Sequence, residues 1–201
     1  MRPDDADWDG WRPETAVRAL AGVDVPWAVA AGWAIDLFLG TQRREHDDLE
    51  LAVPATRFRE VTDVLSELEF HVIGPGTAVP VDEADELLER HHQTWGLDRP
   101  ANCWRVDVFR EPSDGDTWIC RRDKQIRLPY SEVIEHTKEG VPYVRPEIVL
   151  LFKAKHARPK DEGDLAAVLP RLDAARKRQL AEWLELVHPV HFWLADLTEP
   201  A

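Results

Sequence analysis

Acidic residues interrupt two apolar stretches of this chain, and their spacing points to metal chemistry. In the segment DDLELAV, residues 47–53, Asp48 and Glu50 alternate with aliphatic residues. Alternation puts both acids on one face of a strand, with Cα atoms about 6.5 Å apart at a rise of about 3.3 Å per residue. Both carboxylates can then reach one divalent cation, and a partner of that kind offsets the cost of acids on an apolar strand.

A third acid lies in a second apolar stretch. In WRVDVF, residues 104–109, Asp107 stands between Val106 and Val108. If the two strands are neighbours, three carboxylates converge, and three oxygen ligands with positions open for water and phosphate suit Mg²⁺. Such a site can lower the barrier to phosphoryl or nucleotidyl transfer. The competing explanation is an exposed edge strand, on which acids need no partner.

The residues before the first acids form a phosphate-binding pattern. The apolar run WAVAA leads into Ala31-Gly32-Trp33, which predicts a strand-to-helix turn, and the polar loop TQRREH follows the helix. Exposed N–H groups at such a helix start favour phosphate. One glycine at this junction also suits close packing. The prediction therefore depends on the ordered set of strand, glycine turn, helix, basic loop and acidic strand.

This ordered set resembles a known family. The sequence AAGWAIDLFLGTQRREHDDLELAVP, residues 30–54, is similar to the signature of the polymerase-β-like nucleotidyltransferases, in the branch of the aminoglycoside and lincosamide nucleotidyltransferases. Members of that branch carry a Gly-Gly-Trp-Ala turn, a basic loop with Arg-x-His and an Asp-x-Asp strand. The resemblance continues more loosely through Asp107, and the segment 146–165 is similar to bacterial relatives of the branch.

The resemblance implies a metal site and a reaction. Asp48 and Glu50 would bind Mg²⁺, and Asp107 would complete that site or take the proton from the acceptor hydroxyl. The hydroxyl would attack the α-phosphate in line and release pyrophosphate, with little covalent chemistry left to the protein. Glu50 departs from the aspartate of the family, and its longer side chain changes the ligand geometry.

The resemblance also implies the nucleotide contacts. Gly32 and Trp33 would form the turn that holds the triphosphate, and Arg44 and His46 would lie close to the nucleotide. Ala31 stands where the family has the first glycine of the pair, so its methyl group can crowd a backbone that approaches phosphate.

Two lysines on a later helix are further candidates for phosphate binding. In PEIVLLFKAK, an apolar stripe of Ile148, Leu151 and Phe152 continues to Lys155. Lys155 and Lys153 either reach inward to phosphate oxygens or an acid, or extend their stems along the surface to water. Lys160 is interpreted as a surface residue, and Asp161 as an acid that stabilises the dipole at a helix start.

The element pattern predicts an α+β fold. A small mixed β-sheet nucleotidyltransferase core with flanking helices is expected over residues 1–145, followed by a C-terminal helical region over 146–201. Helices are predicted at 13–22, 32–40, 55–70, 146–156, 159–172 and 173–187, and strands at 27–31, 47–53, 71–74 and 103–111, with 116–129 continuing the last strand.

Composition limits the partners of the chain. Its 201 residues carry a net charge of −13 with a pI near 5.0, which argues against a general basic surface for nucleic acid but allows a local basic pocket. Basic clusters such as Arg121–Arg122 are too short for an extended nucleic-acid groove. The acidic start is no secretory signal, no apolar run spans a bilayer, and Cys103 and Cys120 fit no zinc pattern, so a cytoplasmic protein is expected.

These observations predict a Mg²⁺-dependent nucleotidyltransferase that uses an NTP, with ATP the first candidate, and a hydroxyl-bearing acceptor. An acidic protein suits a cationic acceptor such as an aminoglycoside.

The alternative is a catalytically inactive nucleotide-binding or interaction module; the departures at Ala31 and Glu50 favour it, and intact Asp48 and Asp107 oppose it. The pair His46-Asp47 resembles that of HD phosphohydrolases, which need further ligands on helices, whereas this pair opens a strand. Preferred nucleotide, acceptor and oligomeric state stay open.

Overall fold

A nine-stranded mixed sheet and a three-stranded antiparallel sheet organise residues 1–198, which a computed structural model describes. The strands are β1 (Asp7–Trp8), β2 (Ala28–Val29), β3 (Glu50–Pro54), β4 (Glu69–Gly74), β5 (Thr77–Pro80), β6 (Gln93–Asp98), β7 (Cys103–Glu111), β8 (Ser113–Asp114), β9 (Thr117–Ile119), β10 (Arg127–Pro129), β11 (Ile134–His136) and β12 (Pro142–Val144). The larger sheet has the order β11-β12-β2-β3-β7-β6-β4-β5, and β1 pairs with the start of β7.

Helices lie between and after these strands. They are α1 (Pro13–Ala19), α2 (Ala31–Leu39), α3 (Phe58–Val64), α4 (Asp85–Arg90), α5 (Tyr130–Val133), α6 (Pro146–Lys153), α7 (Pro159–Val168), α8 (Ala174–Val187) and α9 (Trp193–Thr198). Over residues 1–198, none of these helices has the length and apolar character needed to cross a membrane. The α+β fold class predicted from the sequence is confirmed.

The pairing of β3 with β7 positions the acids. These two strands are parallel neighbours, and Glu50 lies opposite Asp107 in their register. On the other face of β3, Leu51 and Val53 are fully buried in the main core, and so is Leu49 just before the strand. The alternation of apolar and acidic residues therefore places one face in the core and leaves the other free for chemistry.

Helix α2 connects β2 to the loop before β3. Its N-cap is Ala30, and the helix ends at Gly40, whose φ of 75° gives the left-handed cap that glycine favours. Helices α6 and α7 both contact α2, so the first helices after Pro146 pack directly on the part that carries the glycine turn. The division of the chain at residue 146 stays a prediction.

Several predicted elements were wrong in extent. Strand β3 begins at Glu50, so Asp48 lies in the loop before it. The helix predicted over 55–70 is a 3₁₀ turn followed by α3, which ends at Val64 with that side chain 43% exposed.

Other elements were missed or misplaced. The Gly/Pro-rich segment GPGTAVPVDEAD, residues 74–85, predicts a loop, but it contains β5, which pairs with β4. The segment 116–129 does not continue β7 but forms β9 and β10 of the small sheet. Helix α9 was not predicted.

Candidate active site

Three carboxylates converge where β3 and β7 lie side by side. Glu50 and Asp107 are register partners, and Asp48 reaches them from the loop that enters β3. Oxygen atoms of the three side chains all lie within 4.8 Å of one another. The structure therefore brings together the three acids that the sequence singled out on two separate segments.

Burial makes this cluster electrostatically costly without a cation. Asp107 is 1% exposed, and burial, followed by the charge of Glu50, raises the pKa of its carboxyl well above the usual range. Burial raises the pKa of Glu50 to about 7, and the charge of Asp48 adds to this rise. Burial also raises the pKa of Asp48. Three neighbouring acids with raised pKa values indicate a site that is completed by positive charge.

The atoms of the cluster fit a hard divalent cation. Gln93 Nε2 donates a hydrogen bond to Asp107 Oδ2 at 2.5 Å. Asp107 Oδ1 is buried and has no well-formed hydrogen bond among residues 1–198, and a weaker one from the Trp95 side chain lowers the pKa of the carboxyl. An oxygen-only ligand set of three carboxylates suits Mg²⁺. The residues present therefore fit the cation that the sequence predicted.

The glycine turn at the start of α2 lies against this cluster. The backbone N–H of Gly32 forms a hydrogen bond with the Glu50 carboxylate, which lowers the pKa of that group. A Cβ at position 32 would collide with the Arg44 guanidinium and lie 2.7 Å from ring atoms of His46. Only glycine allows this close approach, which explains why the turn needs it here.

Ala31 has a strained backbone. Its φ is 49°, in the left-handed region that L-residues other than glycine rarely adopt. The position at which this chain departs from the glycine pair of the family is thus one where glycine would be the natural residue.

His46 is held in place by residues on α2. Its Nε2 lies 2.7 Å from Asp36 Oδ2, and its ring centroid lies 4.5 Å from that of Trp33. His46 and Arg44 line the cavity described below, but Trp33 does not. Trp33 therefore packs against His46 instead of forming the cavity wall. His46 pairs with Asp36, and within residues 1–198 neither His46 nor Asp47 belongs to a cluster of metal ligands, so the further ligands that the HD alternative needs are not gathered around this pair.

The candidate lysines do not all reach the cavity. Lys153 lines the cavity, and its Nζ lies 3.0 Å from both Asp161 Oδ1 and Asp164 Oδ2. Lys155 follows the end of α6, is exposed, and does not line the cavity. Lys160 does line it, and its charge lowers the pKa of both Asp48 and Glu50.

One of these positions agrees with its interpretation and the other needs a new one. Lys160 is exposed, as the sequence predicted, and from the first turn of α7 it also lines the cavity. Asp161 does more than stabilise a helix dipole, because it is fully buried and pairs with Lys153 and Arg158.

The acids and the glycine turn open into a cavity of about 770 Å³. Strands β3 and β7 provide its floor, α6 one wall, and the small sheet its far end. Sequence reasoning did not assign the residues of that far end to a site: Phe109, Glu111, Trp118, Arg121, Arg122 and Phe152. The Arg121–Arg122 pair was the one visible signal.

Comparisons with known proteins agree with this geometry. The model of the aminoglycoside-2''-adenylyltransferase family matches residues 14–91, a span that contains the glycine turn and the first two acids. No curated protein matches significantly in sequence.

Solved structures with a similar fold carry related names. The solution structure of the antibiotic-resistance factor ANT(2'')-Ia has a TM-score of 0.56 at 16% identity, covering 89% of this chain and 94% of that one. The crystal structure of ANT(2'')-Ia with adenylyl-2''-tobramycin has a TM-score of 0.58 at 16% identity, covering 86% and 95%. The lincomycin-bound lincosamide adenylyltransferase LnuA has a TM-score of 0.51 at 15% identity, covering 77% and 92%. The chain therefore has the fold of these nucleotidyltransferases, and the resemblance to the aminoglycoside and lincosamide branch that its sequence predicted is confirmed.

Proposed function

We propose that this protein is a nucleotidyltransferase that moves a nucleoside monophosphate from an NTP, with ATP the first candidate, to a hydroxyl of a small acceptor. The observation that carries the proposal is the convergence of Asp48, Glu50 and Asp107 beside the Gly32 turn. The family match and the shared fold support the same reaction class.

The relatives suggest where to begin with acceptors. ANT(2'')-Ia has been solved with adenylyl-2''-tobramycin and LnuA with lincomycin, so both of those proteins bind antibiotics. A hydroxyl of an antibiotic or a similarly small molecule is therefore the first acceptor class to test.

Each group of residues has its own role in the proposed transfer. The acceptor oxygen attacks the α-phosphorus, the bond from that phosphorus to the oxygen bridging to the β-phosphate breaks, and pyrophosphate leaves. Asp48, Glu50 and Asp107 would hold Mg²⁺, which supplies charge neutralisation on the phosphates when bound. The hydroxyl proton passes to a carboxylate of the cluster. Gly32 keeps the turn open, and Arg44 and Lys160 contribute positive charge at this end of the cavity.

Product analysis tests the proposal. Wild-type protein is incubated with Mg²⁺, ATP and a panel of acceptors that includes tobramycin and lincomycin, and mass spectrometry detects an acceptor that has gained AMP. We expect one acceptor class to be modified, with release of pyrophosphate. Asp107→Asn should abolish the product, whereas Asp63→Asn, which changes an exposed acid on α3, should retain it.

The inactive module remains the alternative function, and the strained Ala31 is the observation in its favour. Nucleotide binding without pyrophosphate release for any acceptor would identify that alternative. Restored turnover in Ala31→Gly would trace the loss to the missing glycine.

A further inference from the structure

The cavity extends well beyond the three acids along β7. Alternation puts Asp107, Phe109 and Glu111 on one face of this strand, and the last two line the cavity. At a rise of about 3.3 Å per residue, Glu111 lies about 13 Å along the strand from Asp107. The part of the cavity away from the acids, the distal end, is lined by Phe109, Glu111, Trp118, Arg121, Arg122 and Phe152.

Arg121 is held between two aromatic rings at the distal end. Its guanidinium carbon lies 4.7 Å from the ring centroids of both Phe109 and Phe152. Its Nη2 lies 3.4 Å from Glu111 Oε1, and Trp118 Nε1 donates to Glu111 Oε2 at 3.3 Å. Arg121 Nε is buried and has no hydrogen-bond partner among residues 1–198. Aromatic stacking thus fixes the plane of a guanidinium that still has a donor to satisfy.

Arg122 adds a second positive charge beside the first. Its guanidinium carbon lies 5.5 Å from the ring centroid of Phe152, and the residue is exposed at the cavity wall. Burial and then the charge of Arg121 lower the pKa of Arg122. Glu111, which pairs with Arg121, is the one carboxylate among the distal-end residues, so two guanidinium groups lie near a single negative charge there.

The rest of the cavity is closer to charge balance than the distal end. Four carboxylates line the cavity in the described chain: Asp47, Asp48, Glu50 and Glu111. Six lysine and arginine side chains line it, Arg44, Arg121, Arg122, Lys153, Arg158 and Lys160, and of these Lys153 and Arg158 already pair with Asp161. At the distal end, an acceptor with several protonated amines would need an unpaired carboxylate, and Glu111 is already paired with Arg121.

We infer that the distal end selects an acceptor with a planar ring and an anionic group, and that it rejects polycations. The anionic group lies at Arg121 and Arg122, and the ring packs beside the half-buried Phe152, because Trp118 is 2% exposed and its indole is engaged with Glu111. Arg44 and Lys160 lie near the acids and remain for the triphosphate. This inference rests on the proposed function for the identity of the acceptor, and it reverses the expectation of a cationic acceptor drawn from net charge.

Three probes of matched shape test this preference. They are 4-(hydroxymethyl)benzoate, 1,4-benzenedimethanol and 4-(aminomethyl)benzyl alcohol, which share a ring and a hydroxyl and differ in charge. Binding to the whole protein is measured by ligand-observed NMR without nucleotide. We expect the benzoate to bind about tenfold more tightly than the ammonium probe, because one charge-assisted hydrogen bond is worth about that factor.

Substitutions show which residue causes the preference for the anionic probe. Arg122→Gln should reduce the tenfold ratio towards one, and Arg122→Glu should invert it. Arg127→Gln on β10 is the matched control, because this exposed arginine follows the loop that carries Arg122 but does not line the cavity. Undetectable benzoate binding, equal or tighter binding of the ammonium probe, or an unchanged ratio in Arg122→Gln would overturn the inference.

A separate arm distinguishes this inference from the proposed function. Mg²⁺-dependent adenylylation of tobramycin, a polycationic acceptor, would overturn the inference while supporting nucleotidyl transfer. Failure of any NTP to bind would overturn the proposed function, and the probe ratio would still decide whether the distal end selects an anion.

Discussion

Asp107 carries a charge that the fold makes costly and that catalysis is expected to use. Asp107→Asn keeps an oxygen that can accept from Gln93 but removes repulsion with Glu50. We therefore expect the ligand-free variant to have an equal or higher free energy of unfolding than wild type. Nucleotidyl transfer should fall at least about 100-fold, because a group that stabilises transition-state charge is lost. Denaturant unfolding and product formation measure the two effects, and a variant that transfers at the wild-type rate would reduce Asp107 to a structural acid.

Substitution of Gly32 tests whether the basic loop approaches the start of α2 as closely as the structure shows. Gly32→Ala places a methyl group against Arg44 and His46, so we expect a loss of about 1–3 kcal/mol in the free energy of unfolding and weaker nucleotide binding. Gly163→Ala is the matched control, because a Cβ there meets nothing within 4 Å and alanine favours the interior of α7. Equal effects of the two changes on unfolding would contradict the contact.

Individual residue roles were predictable where they depend on alternation and less so where they depend on packing. Glu50 and Asp107 were predictable from alternation, and they meet because β3 and β7 pair in register, whereas Asp48 reaches them from the loop before β3. The position of Trp33 against His46 depends on how two side chains stack, which the period does not show. Lys160 could not be distinguished from a surface lysine, because its direction follows from how α7 packs on α2.

At the scale of elements, an ion-pair network ties α6 and α7 to the basic loop. Lys153 on α6 pairs with Asp161 and Asp164 on α7, and Arg43 from the loop donates to Asp164 Oδ1 at 3.4 Å. Arg158, the residue before α7, donates a hydrogen bond from its Nε to Asp161 Oδ2. The network fixes the cavity wall that presents Lys153 and Lys160.

The pH dependence of stability reports on this network. Although burial alone would raise it, hydrogen bonds from Arg158 and Lys153 lower the pKa of Asp161 from 3.8 to about 2. A lowered pKa in the folded state stabilises the protein above the unfolded value and loses that contribution as pH falls towards the folded value, here about 2 kcal/mol. Asp161→Asn should lack this loss. The free energy of unfolding of both proteins, measured between about pH 5 and 2.5, checks it; parallel curves would contradict the assignment.

Elements with a strong local pattern were predictable, and those formed by tertiary pairing were not. Strand β7 was predicted with its observed bounds, Cys103–Glu111, because alternation runs through all of it. Strand β5 lies in a Gly/Pro-rich segment and exists because its backbone pairs with β4. Helix α9 is short, and its pattern is weak without the packing of Trp193 and Leu197 into the core.

For the whole molecule, the net charge of the chain does not show where individual charges lie. The chain carries a net charge of −13, yet six lysine and arginine side chains and four carboxylates line the cavity. Composition therefore limits the acceptor class only weakly, because the fold determines which charges face inward.

Calorimetric titration of ATP into wild-type protein and Asp48→Ala, with Mg²⁺ and with a chelator in its place, tests the central claim most directly. The claim is that the three carboxylates and the Gly32 turn form one nucleotide site. We expect wild-type protein to bind ATP with a requirement for Mg²⁺, and Asp48→Ala to lose that binding. Failure of ATP and the other NTPs to bind the wild type, or ATP binding that persists without Mg²⁺ and in the variant, would contradict the claim.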